Sequence, residues 1–236
     1  MVAIFVIFTI VAFILVDALV QKAELKRLEP SPERKAARKS YGNLPITVKS
    51  LPGGIYTDFG HTWLSLNRDG TANLGIDAFA QYAVGCVDKL VLPRVGQEVR
   101  RGDDIFTLRQ GERKAIFRAP IDGVVETVNE ALSSDPMLVK GDPYRKGWIC
   151  CLRPHHLAAG LRQMLIAEEA LTWLKSEAIR FQEFILSRPF KDTALGRVLQ
   201  DGGEITSGVL ELMDNETWNE FSKEFLHTDK PKTRIV

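Results

Sequence analysis

The chain has 236 residues, 45% of them hydrophobic and 26% charged, with a formal net charge of +1. That composition fits a globular protein of ordinary domain size with a modest membrane element. The near-neutral charge excludes a general nucleic-acid binder, and 3 cysteines provide no disulfide framework.

Residues 1–16 carry no charged side chain, and Asp17 is followed by Ala18-Leu19-Val20. A spanning helix needs about 20 residues, at about 1.5 Å each, to cross about 30 Å of hydrocarbon. Residues 2–20 suffice when Asp17 lies at the interface. A secretory signal peptide would want a basic segment before the run and a small-x-small site after it, and neither is present. The expectation is a retained transmembrane anchor over 1–21. Lys22, Lys26, Arg27, Arg34, Lys35, Arg38 and Lys39 follow it directly. The positive-inside bias then makes this a single-pass protein with its N-terminus outside and its main domain cytoplasmic. Residues 22–51 read as a basic linker, broken by Pro30 and Pro32.

From 52 to 154, short apolar runs alternate with Gly, Asp, Asn and Pro. Thr62–Asn67, Ala72–Ile76, Val87–Leu92, Ile105–Arg109, Ala115–Arg118, Val124–Asn129 and Trp148–Leu152 are the expected strands. Asp77 is placed to cap a short helix through Ala83. The organising stretch is Gly102 to Val125, a hairpin whose tip is Gln110-Gly111-Glu112, with Gly111 supplying the left-handed conformation of a tight turn. His61 reads as a hydrogen-bonding histidine beside a buried tryptophan. Cys150 and Cys151 precede His155 and His156. Neighbours in a strand face opposite ways and the spacing matches no usual zinc pattern, so no metal site is expected. Cys86 reads as a small buried residue. No nucleophile elbow, phosphate loop or framed carboxylate pair occurs, so no catalytic residue and no small-molecule substrate are expected.

Residues 155–188 are expected to hold a long helix. Met164, Ala167, Leu171, Leu174, Ala178, Phe181 and Ile185 form a seam spaced 3, 4, 3, 4, 3, 4. From Leu161 to Ser187 such a helix would be about 40 Å long. Met164, Leu171, Leu174 and Phe181 are therefore candidate partner contacts. The tail, 189–236, is expected to carry a short helix capped by Asp214 or Asn215, with Trp218, Phe221 and Phe225 on one face.

Several blocks carry a family resemblance. They are His61-Thr62-Trp63-Leu64, Asp69 through Ile76, Leu92 through Val99, Ala119 through Gly123, Asn129-Glu130-Ala131-Leu132, and Asp142-Pro143-Tyr144-Arg145-Lys146-Gly147-Trp148. From Gly54 to Glu169 the chain resembles the glycine cleavage system H-protein family. The resemblance implies a mainly β, flattened barrel-sandwich hybrid of the lipoyl-carrier type, here with an N-terminal transmembrane helix and C-terminal helices added. It also implies a carrier and not an enzyme. In that family a lysine at the hairpin tip carries lipoate, within Glu-Ser-x-Lys-Ala and seven residues before an Ala-Pro.

Counting back from Ala119 reaches Glu112, and the motif becomes Arg109, Gln110, Gly111, Glu112, Arg113. A carboxylate cannot form the lipoyl amide. The expectation is a membrane-anchored H-protein-like binding module without lipoate or other cofactor. It would act as an accessory or scaffold subunit that meets other protein subunits at the membrane. Arg109, Arg113, Lys114 and Arg118 would form its contact surface. A second reading keeps a lipoyl carrier by shifting the hairpin register to present Lys114.

Overall fold

Side chains that alternate inward and outward build most of the domain into short antiparallel strands. The computed structural model describes residues 51–188 and 207–227. The expected anchor over 1–21 and the linker as far as residue 50 lie outside the described residues, as do 189–206 and 228–236 of the tail. No helix among the described residues is long and apolar enough to cross a membrane.

The strands are β1 (Ile55–Thr57), β2 (Thr62–Leu66), β3 (Ala72–Ile76), β4 (Lys89–Val91), β5 (Glu98–Val99), β6 (Asp104–Gln110), β7 (Arg113–Arg118), β8 (Gly123–Val128), β9 (Trp148–Pro154) and β10 (Leu165–Ile166). One sheet runs β10-β1-β2-β3-β9-β8-β5 and the other β4-β6-β7. Leu74, Ile149 and Leu152 of the large sheet share one apolar core with Leu90, Leu108 and Phe117 of the small one. Close packing fixes Gly75, because a Cβ there would lie 2.6 Å from the Trp63 ring.

Helix α1 (Ala78–Val84) is capped by Asp77, whose carboxylate accepts the Ala80 N–H, and ends at Gly85 with φ 82. One-turn helices α2 (Ala131–Ser134), α3 (Leu138–Gly141) and α4 (Leu157–Leu161) punctuate the middle of the chain. The long helix is shorter than its sequence pattern predicts. Helix α5 covers Ala167–Leu186, 20 residues. Before it, Leu165 and Ile166 form β10 and pair with Thr57 and Tyr56 of β1. Ile166 is extended and Ala167 has φ 52. A left-handed, non-glycine residue cannot lie inside a continuous α-helix. The β region therefore does not end at Pro154; its last strand follows α4 and closes the edge of β1.

The seam of α5 is occupied within the chain itself. Leu174 and Phe181 are 0% exposed and Met164 7%, while Leu171 is half-buried. Phe181 is covered by the tail, in which a 3-10 turn (Val209–Leu212) leads into α6 (Asn215–Phe225). Asp214 caps α6 by accepting the Thr217 N–H at 2.7 Å. Phe221 and Phe225 of α6 pack edge-on against Phe181, at 5.6 and 5.8 Å between ring centroids. Phe79 of α1 completes the cluster, 5.9 Å from Phe225. Met164, Leu174 and Phe181 thus belong to the core rather than to a free face, with α6 covering Phe181, while Leu171 stays half-exposed outside that core.

Candidate functional site: the hairpin and its supports

Strands β6 and β7 are joined by Gly111 and Glu112, and Gly111 has φ 59. Both tip residues are exposed. The base of the tip is pinned to the fold. Buried Gln110 donates through Nε2 to the carbonyls of Val84 and Cys86, at 3.1 and 2.6 Å. The Gly111 N–H donates to Asp88 Oδ2 at 2.7 Å.

Arg113 does not face a free surface. Its Nε donates to Asn215 Oδ1 at 2.8 Å, Nη1 to the Leu210 carbonyl at 2.7 Å, and Nη2 to the Met213 carbonyl at 2.6 Å. Its guanidinium also lies 5.5 Å from the Trp218 ring centroid. The Trp218 Nε1–H in turn donates to the Lys114 carbonyl at 2.9 Å. Arg113 is therefore the anchor of the tail, and its place in the expected contact surface is corrected on that ground. Arg109, Lys114 and Arg118 are exposed. Arg118 spends one donor on the Gly102 carbonyl, 3.0 Å away.

The lipoyl group that the carrier resemblance implies requires a lysine amine at the tip. Counted without a gap from Ala119, Glu112 falls at that place, and a carboxylate cannot form the amide. Lys114 lies within β7, opposite Arg109. Moving it to the tip would draw Arg113 away from its three acceptors.

A second constellation is buried beneath α5. His61, 0% exposed and with φ 60, bonds through Nδ1 to Asp77 Oδ2 at 2.8 Å, and its Nε2 lies 3.6 Å from Glu177 Oε2. Arg180 bridges to the same Glu177. The imidazole is stacked between Phe79 at 4.2 Å and Trp173 at 4.9 Å. The stacked tryptophan is thus Trp173, distant in sequence, and not the neighbouring Trp63. Burial alone would lower the His61 pKa, but the charges and hydrogen bonds of Asp77 and Glu177 outweigh it and raise it to about 9. The group is an internal ion network, with His61 and Asp77 wholly buried. Sequence reasoning missed it because Glu177 enters as one more polar residue between seam positions.

Cys150 and Cys151 are both buried, on opposite faces of β9. Burial pushes the Cys150 thiol pKa well up, which makes it inert. Cys86 is buried as well, and among the described residues no cluster of side chains has the makings of a metal site.

Two antiparallel sheets around one core, with a supported hairpin standing from the smaller, define a lipoyl-carrier-like domain. The chain belongs to the glycine cleavage H-protein family, which matches residues 55–177. The probable glycine cleavage system H protein of Thermococcus gammatolerans is 36% identical over 123 residues, 52% of this chain and 91% of that protein. The glycine cleavage system H protein of a Psychrobacter species is 34% identical over 122 residues, 52% of this chain and 96% of its own. A crystal structure of the H protein of Mycobacterium marinum aligns at 28% identity with a TM-score of 0.42, over 44% of this chain and 87% of that one. The matched region stops at 177, so α6 and the other partners of Arg113 lie beyond it.

Proposed function

We propose that this chain is a non-lipoylated H-protein-like binding module, anchored in the membrane by residues 2–20 and serving as an accessory or scaffold subunit of a membrane-associated complex. The observation that carries the reading is Glu112 at the hairpin tip, seven residues before Ala119-Pro120, where a lipoyl carrier needs an amine. The grip of Arg113 on the tail supports it, since that grip opposes the register shift Lys114 would require. The module performs no chemistry of its own; exposed Arg109, Lys114 and Arg118 offer charge where a carrier offers an arm. The basic residues that follow residues 2–20 support a cytoplasmic position for this domain through the positive-inside bias.

The test is the intact mass of the protein purified from its own cells in mild detergent, with peptide mapping across 109–118. An unmodified mass is expected. A lipoyl increment on Lys114 would overturn the reading and make the chain an anchored carrier. The same spectrum must show residues 1–20 still attached; their loss would remove the anchor from the proposal.

A further inference from the structure

Strand register places three cations side by side on the outer face of the small sheet. Lys89 of β4 is opposite Arg109 of β6, and Arg109 is opposite Lys114 of β7. All three are exposed. Among the described residues none of their side chains makes an ion pair. Like charges directly opposite in a sheet destabilise it, so the fold itself gains nothing from this row. The next row out is apolar at its two ends. Val91 faces Thr107, which faces Ile116, and Val91 and Ile116 are each 41% exposed. With strands about 4.8 Å apart, the cations span about 10 Å, and the apolar row runs parallel to them about 7 Å away.

We infer that this face is a docking surface for an acidic helix of a partner protein, one with carboxylates at i, i+4 and i+7 and apolar side chains beside them. Seven helical residues rise about 10.5 Å, so three such carboxylates match the three cations, and the flanking apolar residues meet Val91 and Ile116. The apolar row is what favours protein over a polyanion. Lipid headgroups or phosphates would answer the three charges but leave that row unmatched, and the net charge of +1 gives no broader basic field. The inference rests on the non-lipoylated reading, because acylation of Lys114 would delete one charge of the row.

The experiment uses the full chain in mild detergent, its Lys114 first verified as unmodified by mass. The probe is a labelled helical peptide with Glu at i, i+4 and i+7 and Leu alongside. Binding that weakens as salt rises is expected. Lys89→Glu with Arg109→Glu should weaken it at least about tenfold. Val91→Ser with Ile116→Ser should weaken it at every salt concentration. Lys89→Gln with Arg109→Gln separates binding from folding: affinity should fall while the melting temperature holds or rises, since the like-charge repulsion is relieved. No peptide binding, or binding indifferent to the charge reversals, would overturn the inference and leave the mass result standing. Charge-dependent retention on phosphatidylglycerol vesicles without peptide binding would overturn it in favour of a lipid surface. A modified Lys114 would instead remove the reading on which it stands.

Discussion

Arg113 Nη2 lies 2.6 Å from the carbonyl oxygen of Met213, a residue 100 positions further along the chain. With the bonds to Leu210 and Asn215, it ties the hairpin of an H-protein domain to a segment outside the family match. Hydrogen bonds from a charged donor contribute about 1.5–3 kcal/mol each at best and are not additive. Arg113→Ala is expected to cost roughly 2–3 kcal/mol in urea unfolding, and to raise amide exchange across 207–227. Arg113→Lys should recover only part of this, because an ammonium lacks the planar fork that reaches three acceptors at once. Unchanged exchange in the alanine variant would mean that aromatic packing alone holds the tail.

Gly85 and Gly208 form the second attachment. Both have positive φ, 82 and 78, and a Cβ on Gly85 would stand 2.5 Å from the Gly208 Cα and 2.1 Å from Glu211 Oε1. Glu211 Oε1 accepts the Cys86 N–H at 2.7 Å, and the Gly208 N–H donates to the Tyr82 carbonyl at 2.7 Å. Gly85→Ala combines backbone strain with loss of this approach, on the order of 2–4 kcal/mol. A thermal melt that does not move would show that the two turns separate at no cost.

Much of this fold was legible in the chain. Strand β3 falls on Ala72–Ile76, Asp77 caps α1, and Asp214 caps α6, as alternation and side-chain chemistry predict. Local signals determine such features. What was not legible depends on contacts between distant segments. Met164 and Ala167 open a helical seam, yet pairing of Ile166 with Tyr56 draws the residues between them into a strand. The α5 seam reads as a partner surface until α6, joined through a turn at Gly208, covers Phe181. Arg113 looks like any surface cation, and only the fold brings the carbonyls of Leu210 and Met213 to it. Lys89 gains its meaning from strand pairing alone.

His61 predicts a pH dependence. Its folded pKa, about 9, stands above its ordinary value of 6.5, so the network stabilises the protein in full below pH 6.5. That contribution, on the order of 3 kcal/mol, is lost as the pH rises through 9. Asp58, which burial raises to about 6 against the pull of Arg101 and His61, finishes titrating near pH 7, so the decline above pH 7 is the part that reports His61. Urea unfolding from pH 6 to 10 should show stability falling across that range. In His61→Gln the decline should flatten, with lower stability at pH 6 because Asp77 loses its cation and Glu177 keeps only Arg180. A decline of equal slope in both proteins would place the titrating group elsewhere.

The tip itself offers a test of how far this chain has departed from a carrier. A lipoate ligase needs an amine that projects from the turn, and the family resemblance adds an acidic residue three positions before it. Glu112 is exposed at the turn, so Glu112→Lys supplies the amine with no change to the Arg113 anchor. Arg109→Glu restores the acid and also breaks the row of cations. The wild-type chain is expected to take no lipoyl group from a ligase and lipoate in vitro, the double variant Arg109→Glu, Glu112→Lys to take one, and Glu112→Lys alone to lag behind it. Mass spectrometry of the tip peptide reads all three. Acylation of wild-type Lys114 would mean that the hairpin slips by two residues despite the Arg113 bonds. Failure of the double variant while it remains folded would mean that the α6 tail, packed beside β7, blocks the approach of a ligase. Deletion of 207–236 in that background should then restore modification.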